Sequence, residues 1–426
     1  MMSAGSEFIA GLDLGTTKSC CVVAKVDPDG EATMAGVALC PSMGVRRGLV
    51  TDLDAAAAAI ADVVSAASKH ADVSISSVYV GVSGEQVQSM NSRGVAAITH
   101  ADQEITPEDR ARVLEQSQVI IIPNERRILH AIPRVFSVDG QRGIRKPVGM
   151  CGSRLEVETL IITGSRNSLL NLDKAVRTAK LDCAQQVLAS LASGVAVLSQ
   201  EEREQGVCLL DIGGGTTDIA AFSEEEILHA SVLPVGGTNV TNDIAQVLRV
   251  AIQDAESLKV DHGHAVPAAV DVKDAVAVSR IGGTEPRPFR RTALCEIIHA
   301  RMEELFLLVK KDLDKAGVYN ALTRGIVLTG GGSLLAGTAE CASQVLGLPA
   351  RVARPSGIGS LSASRQVLSA DGRQSGPPIE DDSPIYATAV GLMRWGVLQE
   401  YSENEKVNPN PAIALWDWIK GFGSRR

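Results

Sequence analysis

Two stretches of the chain share one layout of apolar and polar positions. In FIAGLDLGTTKSCCVVAKV an apolar run ends on Asp13, a glycine turn with threonines follows, and a second apolar run begins; GVCLLDIGGGTTDIAAF repeats the plan around Asp211. Short runs rich in apolar and β-branched residues, broken by glycine, predict pairs of buried strands joined by tight turns. The first turn carries Gly15, Thr16 and Thr17, and the second Gly213, Gly214, Gly215, Thr216 and Thr217. One such unit in each half predicts an internally duplicated α/β architecture.

Other segments fill in the plan. GIVLTGGGSLLAG reads as a buried strand ending in Gly330, Gly331 and Gly332, with Ser333 placed to cap a following helix. AAAAAIADVV, residues 55 to 64, predicts a helix. SSVYVGVSG (76 to 84) predicts a strand leading out of the first domain, and TLIITGS (159 to 165) one that returns to it. Between them TPEDRARVLEQSQVI has the marks of a helix start, with Thr106 as N-cap, Pro107 at the first position and Asp109 completing a capping box. In VLPVGGTNVTNDIAQVL, Gly236 and Gly237 predict a turn before a helix that Thr238 or Thr241 caps. In AESLKV, Glu256 and Lys259 share one helical face. Residues 354 to 382, rich in Gly, Ser and Pro, predict a mobile loop, and VLQEYSENEKVNPNP predicts a linker. After it, ALWDWIKGF puts Ala412, Leu415, Trp416, Ile419 and Phe422 on one helical face with Trp418 at its margin; Asp417 and Lys420 lie opposite, and Arg425 and Arg426 make a basic tip.

Composition narrows the class. A chain of 426 residues exceeds what one hydrophobic core supports, so two or more units are expected. With 45% hydrophobic and 21% charged residues it is a folded protein, and a net charge of −9 speaks against nucleic acid as a partner. No run of eighteen apolar residues occurs, and the start lacks a signal-peptide pattern, so a cytoplasmic location is expected. The eight cysteines are scattered without a CxxC pair and are expected to be small reduced core residues. His262 and His264 lack a further ligand at metal spacing and predict a polar loop.

The hairpins suit a nucleotide. Glycines let the backbone approach an anion and aim N–H groups at it, threonine hydroxyls add donors, and Lys18 adds positive charge. A carboxylate at each strand end, Asp13 and Asp211, would meet in a cleft and hold a hydrated Mg²⁺, an ion that takes few protein ligands. Either hairpin alone also reads as a glycine turn with a capping aspartate. By spacing alone, Glu256 and Lys259 read as a surface ion pair.

Three glycine-rich strand ends in this order, with the connecting helices ASGVAVLS and ATAVGLMRWG, resemble the superfamily of actin, DnaK-type chaperones and sugar kinases, from Phe8 to about Gly396. Within it, HAIPRVFSVDGQRGIRKPVGMCGSRLEVETLIITG, SLASGVAVLSQEEREQGVCLLDIGGGTTDIA, IIHARMEELFLLV and GIVLTGGGSLLAG resemble the bacterial cell-division family FtsA. That resemblance implies a duplicated actin-like (ribonuclease H-like) α/β fold, two domains around an ATP cleft, with the FtsA-type subdomain 1C in place of actin 1B. It implies subdomain 1A over residues 1–83, 164–205 and 384–400, 1C over 84–163, 2A over 206–242 and 318–383, and 2B over 243–317, then a linker, 401–411, and an amphipathic membrane-targeting helix, 412–426. By residue composition alone, the extra lobe could be either an interaction surface or a stabilising one; the resemblance implies contacts with neighbouring protomers and divisome proteins.

The resemblance implies an ATP site formed by Gly15, Thr16, Thr17, Lys18, Gly213, Gly214, Gly215, Thr216, Thr217, Gly236, Gly237, Asn239, Glu256, Lys259, Gly330, Gly331, Gly332 and Ser333, with Mg²⁺ held through water by Asp13 and Asp211. Val195 falls where actin-like relatives carry a Gln or Glu that serves the attacking water, so slow ATP turnover at most is expected. The implied role is to tether FtsZ to the cytoplasmic face of the inner membrane at the division site, to self-associate and to recruit later divisome membrane proteins. The C-terminal tail of FtsZ would dock on 2B, with Arg301 and Glu304 as part of that surface, although the same pattern reads as a solvated helix face. Leu415, Trp416, Trp418, Ile419, Phe422, Lys420, Arg425 and Arg426 would meet an anionic lipid surface, or a groove on another protein. The alternatives are a PilM-like scaffold of type IV pilus assembly and a small-molecule kinase; a DnaK-type chaperone is set aside because no peptide-binding domain follows the core.

Overall fold

The computed structural model describes residues 7–27, 31–100, 102–282, 285–356 and 382–404, without the side chains of 401–404. The predicted terminal helix at 412–426, the predicted linker from 405 on, and most of the predicted loop at 354 to 382 lie outside the described residues.

Each predicted hairpin sits at the centre of a five-stranded sheet. In the first, Glu7–Leu14 pairs antiparallel with Lys18–Val26, which pairs with Ala32–Pro41; on the other side Ser77–Val82 and then Asp182–Leu188 run parallel. In the second, Val207–Ile212, Thr217–Ser223 and Glu226–Leu233 repeat the antiparallel part, and Ile326–Thr329 and Ala350–Val352 the parallel part. The two halves therefore have the same topology, as the duplicated sequence pattern predicts.

Helices cover both faces of the first sheet, which is why its strands read as continuous apolar runs. The helix Leu53–Ala71, opened by the Asp52 carboxylate accepting from the Ala55 N–H at 3.0 Å, buries Ala56, Ile60, Val63 and Ala67 against one face. The closing helix Ala387–Asn404 covers the other so closely that a Cβ on Gly11 would stand 2.4 Å from the Ala389 carbonyl oxygen. It crosses the connecting helix Ala189–Val197 at Gly391, where a Cβ would meet the Ala192 carbonyl oxygen at 1.8 Å. It also runs to Asn404, past the linker start expected at residue 401.

The segment between the strand Ser77–Val82 and the helix Arg166–Thr178 is a lobe of its own. Gln88–Ala97, Arg154–Ser165, Arg126–Val138 and Gln141–Ile144 form an antiparallel sheet. The helix Pro107–Gln118, with its Thr106–Asp109 capping box formed, packs on this sheet around Ile105, Val113, Leu114, Phe136 and Leu155. TLIITGS does not rejoin the first sheet. Its residues continue one long strand of the lobe, and the Ser165-capped helix Arg166–Thr178 makes the return.

All eight cysteines are free, but Cys151 is exposed and Cys183 half-buried, which corrects the reading of every cysteine as core. Cys151 lies in the lobe's loop beside the strand start at Arg154, where no second layer covers it. In the second half the helices Gly237–Leu248, Ile252–His262 and Arg291–Lys315 enclose a separate core around Ile244, Leu258, Ile298 and Phe306. His264 is a loop residue whose ring accepts from the Val266 N–H at 3.0 Å, but His262, expected in the same loop, ends the helix Ile252–His262. Among the described residues no helix is long and apolar enough to cross a membrane.

Candidate functional site

The two hairpin turns meet tip to tip and line a cleft between the halves, together with Gly330, Gly331, Ser83 and Thr388. Glycine is required where they meet. A Cβ on Gly214 would stand 2.5 Å from the Thr17 side chain, and one on Gly215 2.6 Å from the Thr16 hydroxyl. Gly330 combines a φ of +79° with a Cβ position 2.3 Å from an Asp211 oxygen. The result is a wall of backbone N–H groups and hydroxyls able to approach an anion closely.

Lys18 is the cation of this wall. Its Nζ lies 3.4 Å from Asp13 Oδ2 and donates to the Ile385 carbonyl at 2.6 Å. Burial, the largest single effect, would lower this ammonium's pKa, but Asp13 beside it, helped by Cys20 and Asp211, holds it above the ordinary value. Asp211 is buried and accepts from Ser193, on the connecting helix, and from Thr388, on the closing helix, at 2.8 Å. Burial raises its carboxyl, and the two hydroxyls oppose that rise.

A third acid joins them that the sequence reading passed over. Asp218 is 4% exposed; Ser83 donates to its Oδ2 at 2.7 Å, while its Oδ1 is buried with no hydrogen-bond partner. Burial first, and the nearby Asp211 charge second, push its carboxyl well above the ordinary carboxylate range. The signal was present: Asp218 directly opposes Asp211 in the hairpin, so the second acid of DIGGGTTD points to the same face as the first.

The other expected residues divide into two groups. Gly15, Thr16, Thr17, Gly213, Gly214, Gly215 and Thr216 line the cleft beside Asp13 and Lys18. Thr217 instead turns its hydroxyl to the Val235 carbonyl at 2.8 Å, and Gly332 packs on Ile212. Ser333 caps no α-helix: it sits in a 3-10 turn, Gly331–Leu334, donating to the Gly330 carbonyl at 2.7 Å. The helix Thr338–Leu346 begins only after Gly337, whose left-handed backbone breaks the path.

The helix after Gly236 is likewise capped by neither threonine. Gly236 is its N-cap, and the Asn239 side chain accepts from the Gly236 N–H at 3.0 Å. Thr241 instead links Lys259, which donates to it at 2.9 Å, with Glu256, to which it donates; Glu256 and Lys259 themselves pair at 2.7 Å. Lys259 also reaches the Gly237 carbonyl at 3.3 Å, so this pair leans on the Gly236–Gly237 turn rather than standing free on the surface.

Val195 is half-buried against the core of the first half and does not line the cleft. Among the described residues no group of three His, Cys, Asp or Glu side chains is placed to hold a metal by itself. Two or three carboxylates acting through water fit an ion such as Mg²⁺ that keeps its hydration shell. On the second half, Arg301 is clamped by both oxygens of Asp243, at 2.6 and 2.9 Å, and by Glu304 at 2.5 Å.

Two halves of one topology closing on a glycine-walled cleft define an actin-like protein. Solved structures agree: a "PilM-PilN type IV pilus biogenesis complex" aligns with a TM-score of 0.63 at 18% identity, covering 91% of this chain and 98% of that one. MreB5 of Spiroplasma citri bound to ADP aligns at 0.54 and 13% identity, covering 94% and 99%.

Sequence comparison reaches further than the fold. A family model described as "Cell division protein FtsA" matches residues 208–391, and one described as "SHS2 domain inserted in FTSA" matches 84–163. Curated FtsA proteins are 35% identical in Escherichia coli K12 (98% of this chain, 97% of that one), 37% in Pseudomonas aeruginosa (93% and 91%) and 41% in Borreliella burgdorferi (94% and 94%). The chain belongs to the FtsA family of cell-division proteins.

Proposed function

We propose that this protein binds ATP with Mg²⁺ and, in that state, links FtsZ filaments to the cytoplasmic face of the inner membrane at the division site, self-associating and recruiting later divisome proteins. The observation that carries the nucleotide part is the cleft: a glycine cradle that Cβ atoms on Gly214, Gly215 or Gly330 would fill, one half-buried cation, and carboxylates at the ends of two equivalent strands. A bound Mg²⁺ would neutralise phosphate charge, held through water by Asp13 and Asp211.

The chain's own residues then have distinct tasks. Turn N–H groups and threonine hydroxyls orient the phosphates, Lys18 balances their charge, and Ser193 and Thr388 fix Asp211. Val195 lies outside the cleft and offers no polar group to an attacking water, so turnover is slow and ATP acts chiefly as a ligand that sets conformation and assembly.

The membrane part rests on Leu415, Trp416, Trp418, Ile419 and Phe422 with Lys420, Arg425 and Arg426, an apolar face with a basic tip suited to anionic headgroups. A helix this short binds weakly alone, and assembly multiplies it. For the FtsZ tail, Glu304, with 53% of its side chain exposed, can meet a partner beside its pair with Arg301, while Arg301 holds its helix to Asp243. Membership of the FtsA family favours this role over a pilus scaffold or a small-molecule kinase.

Flotation with anionic liposomes tests the reading, comparing the intact chain with one ending at Asn404. The expected outcome is that only the intact chain floats, and more strongly with ATP. Flotation of neither form would overturn the membrane role.

A further inference from the structure

Beside the cleft the chain makes a small ribbon, Val45–Arg46 paired with Leu49–Val50, whose tip holds Arg47 and Gly48. Val45, Gly48 and Val50 line the cleft. The ribbon is fixed at its base, where the Gly44 carbonyl accepts from the N–H groups of Thr51 at 2.8 Å and Asp52 at 3.1 Å, just ahead of the helix Leu53–Ala71. It is fixed at its tip as well, because a Cβ on Gly48 would stand 2.7 Å from the Ser83 carbonyl, the residue that donates to Asp218.

Arg47 is the unusual member. Its φ is +49°, a left-handed backbone disfavoured for any residue with a Cβ, and its Cα would lie 3.2 Å from a Cβ on Gly215. Neither Arg46 nor Arg47 makes an ion pair or hydrogen bond with another side chain among the described residues, and both are exposed. Arg47 and Gly48 form the two-residue turn of the ribbon, and both Gly48 and Gly215, the glycine that Arg47 abuts, line the cleft, so Arg47 stands at its rim. A residue held in a disfavoured conformation against a phosphate-binding turn invites a functional explanation.

Charge supplies one. The cleft holds the carboxylates of Asp13 and Asp211 against Lys18, which is already committed to Asp13 and the Ile385 carbonyl. A polyanionic ligand entering there meets more negative than positive charge, and the ribbon beside the cleft carries two exposed cations, Arg46 and Arg47. We propose that Arg47 reaches over the cleft mouth to the terminal phosphate of a bound nucleoside triphosphate and so distinguishes it from the diphosphate. This rests on the nucleotide reading above and adds a residue that makes the site sense the ligand's last charge. Arginine suits the task, because its planar fork can grip two phosphate oxygens at once.

The test is calorimetric titration of the full chain with a non-hydrolysable ATP analogue and with ADP, each with Mg²⁺, for the wild type, Arg47→Ala, Arg47→Gly, Arg47→Lys and Arg46→Ala. Arg47→Gly removes the cation while suiting the left-handed backbone, so a weakened triphosphate site in that variant is not a folding defect. Both Arg47→Ala and Arg47→Gly are expected to lose about tenfold or more in affinity for the triphosphate analogue, the scale of a charge-assisted hydrogen bond. ADP affinity should change by about twofold or less, Arg47→Lys should fall between, and Arg46→Ala should match the wild type. Equal losses for both nucleotides, or no loss, would overturn the role of Arg47 while leaving nucleotide binding intact. A wild type that binds neither nucleotide would instead remove the reading beneath it.

Discussion

The two hairpins are the same structure carrying different chemistry. Asp13 opposes Cys20 and Asp211 opposes Asp218, so in each the strand-end aspartate pairs with the residue seven positions on, and a turn hydrogen bond of 2.9 Å closes both. Equivalent positions can then be read across. Lys18 corresponds to Thr216, Cys20 to Asp218, and Thr16 and Thr17 to Gly214 and Gly215. One half supplies the cation and the bulk at the point where the turns meet; the other supplies a second buried acid and the space. Duplication explains the backbone, and divergence at these few positions turns two copies of a turn into one asymmetric site.

The largest test of that asymmetry is to remove the cation that only the first hairpin carries. Lys18→Ala leaves Asp13, Asp211 and Asp218 in the cleft with no ammonium among them. It is expected to weaken Mg²⁺–ATP binding by about 10- to 100-fold, the worth of a hydrogen bond to a charged group, by calorimetric titration. Thr216→Lys should not restore it, because Asp218 and Ser83 surround that position rather than Asp13 and the Ile385 carbonyl. Full rescue would show the two turns to be interchangeable and would break the comparison.

The mating of bulk and space is the next target. Gly214→Ala places a methyl 2.5 Å from the Thr17 side chain and is expected to cost about 1–3 kcal/mol in denaturant unfolding, the usual penalty of overpacking. Thr17→Gly, made together with it, should recover most of that loss, giving a coupling energy of the size seen between touching residues. Additive losses would mean that the turns do not bear on each other.

Much of this was legible in the sequence because the repeated unit is local. An apolar run, an aspartate, a glycine turn and a second run fix a hairpin by themselves, and the Thr106–Asp109 capping box needs only four consecutive residues. What could not be read depends on distant segments. Ser193 and Thr388 reach Asp211 from 18 and 177 residues away, and Ser83 reaches Asp218 from 135. Thr217, assigned to the ligand by its motif, spends its hydroxyl on Val235, a partner that no spacing rule names. Ser333 is likewise expected to cap a helix directly after it, whereas the left-handed Gly337 delays that helix to Thr338. Asp218 is the case between: its place opposite Asp211 follows from the hairpin alone, and only its burial had to be seen.

Asp218 against Cys20 is therefore the finest test of the comparison, and its effect is the smallest. With its carboxyl raised well above an unfolded value of about 3.9, Asp218 keeps a proton in the folded state that the unfolded chain has lost. The folded state thus binds more protons than the unfolded one, and stability falls as pH rises from about 4 toward the raised folded value, by at most about 1.4 kcal/mol per pH unit. Asp218→Asn keeps an acceptor for Ser83 and has no such proton, so its denaturant midpoint should gain on the wild type's as pH rises through that window. Cys20 sits at the equivalent position with its thiol pushed up to about 12 by burial, and Cys20→Ala should leave the slope untouched. Parallel pH profiles for Asp218→Asn and the wild type would mean that Asp218 stays ionised in the fold, and that the second hairpin holds its two acids by some balance other than a shared reluctance to charge.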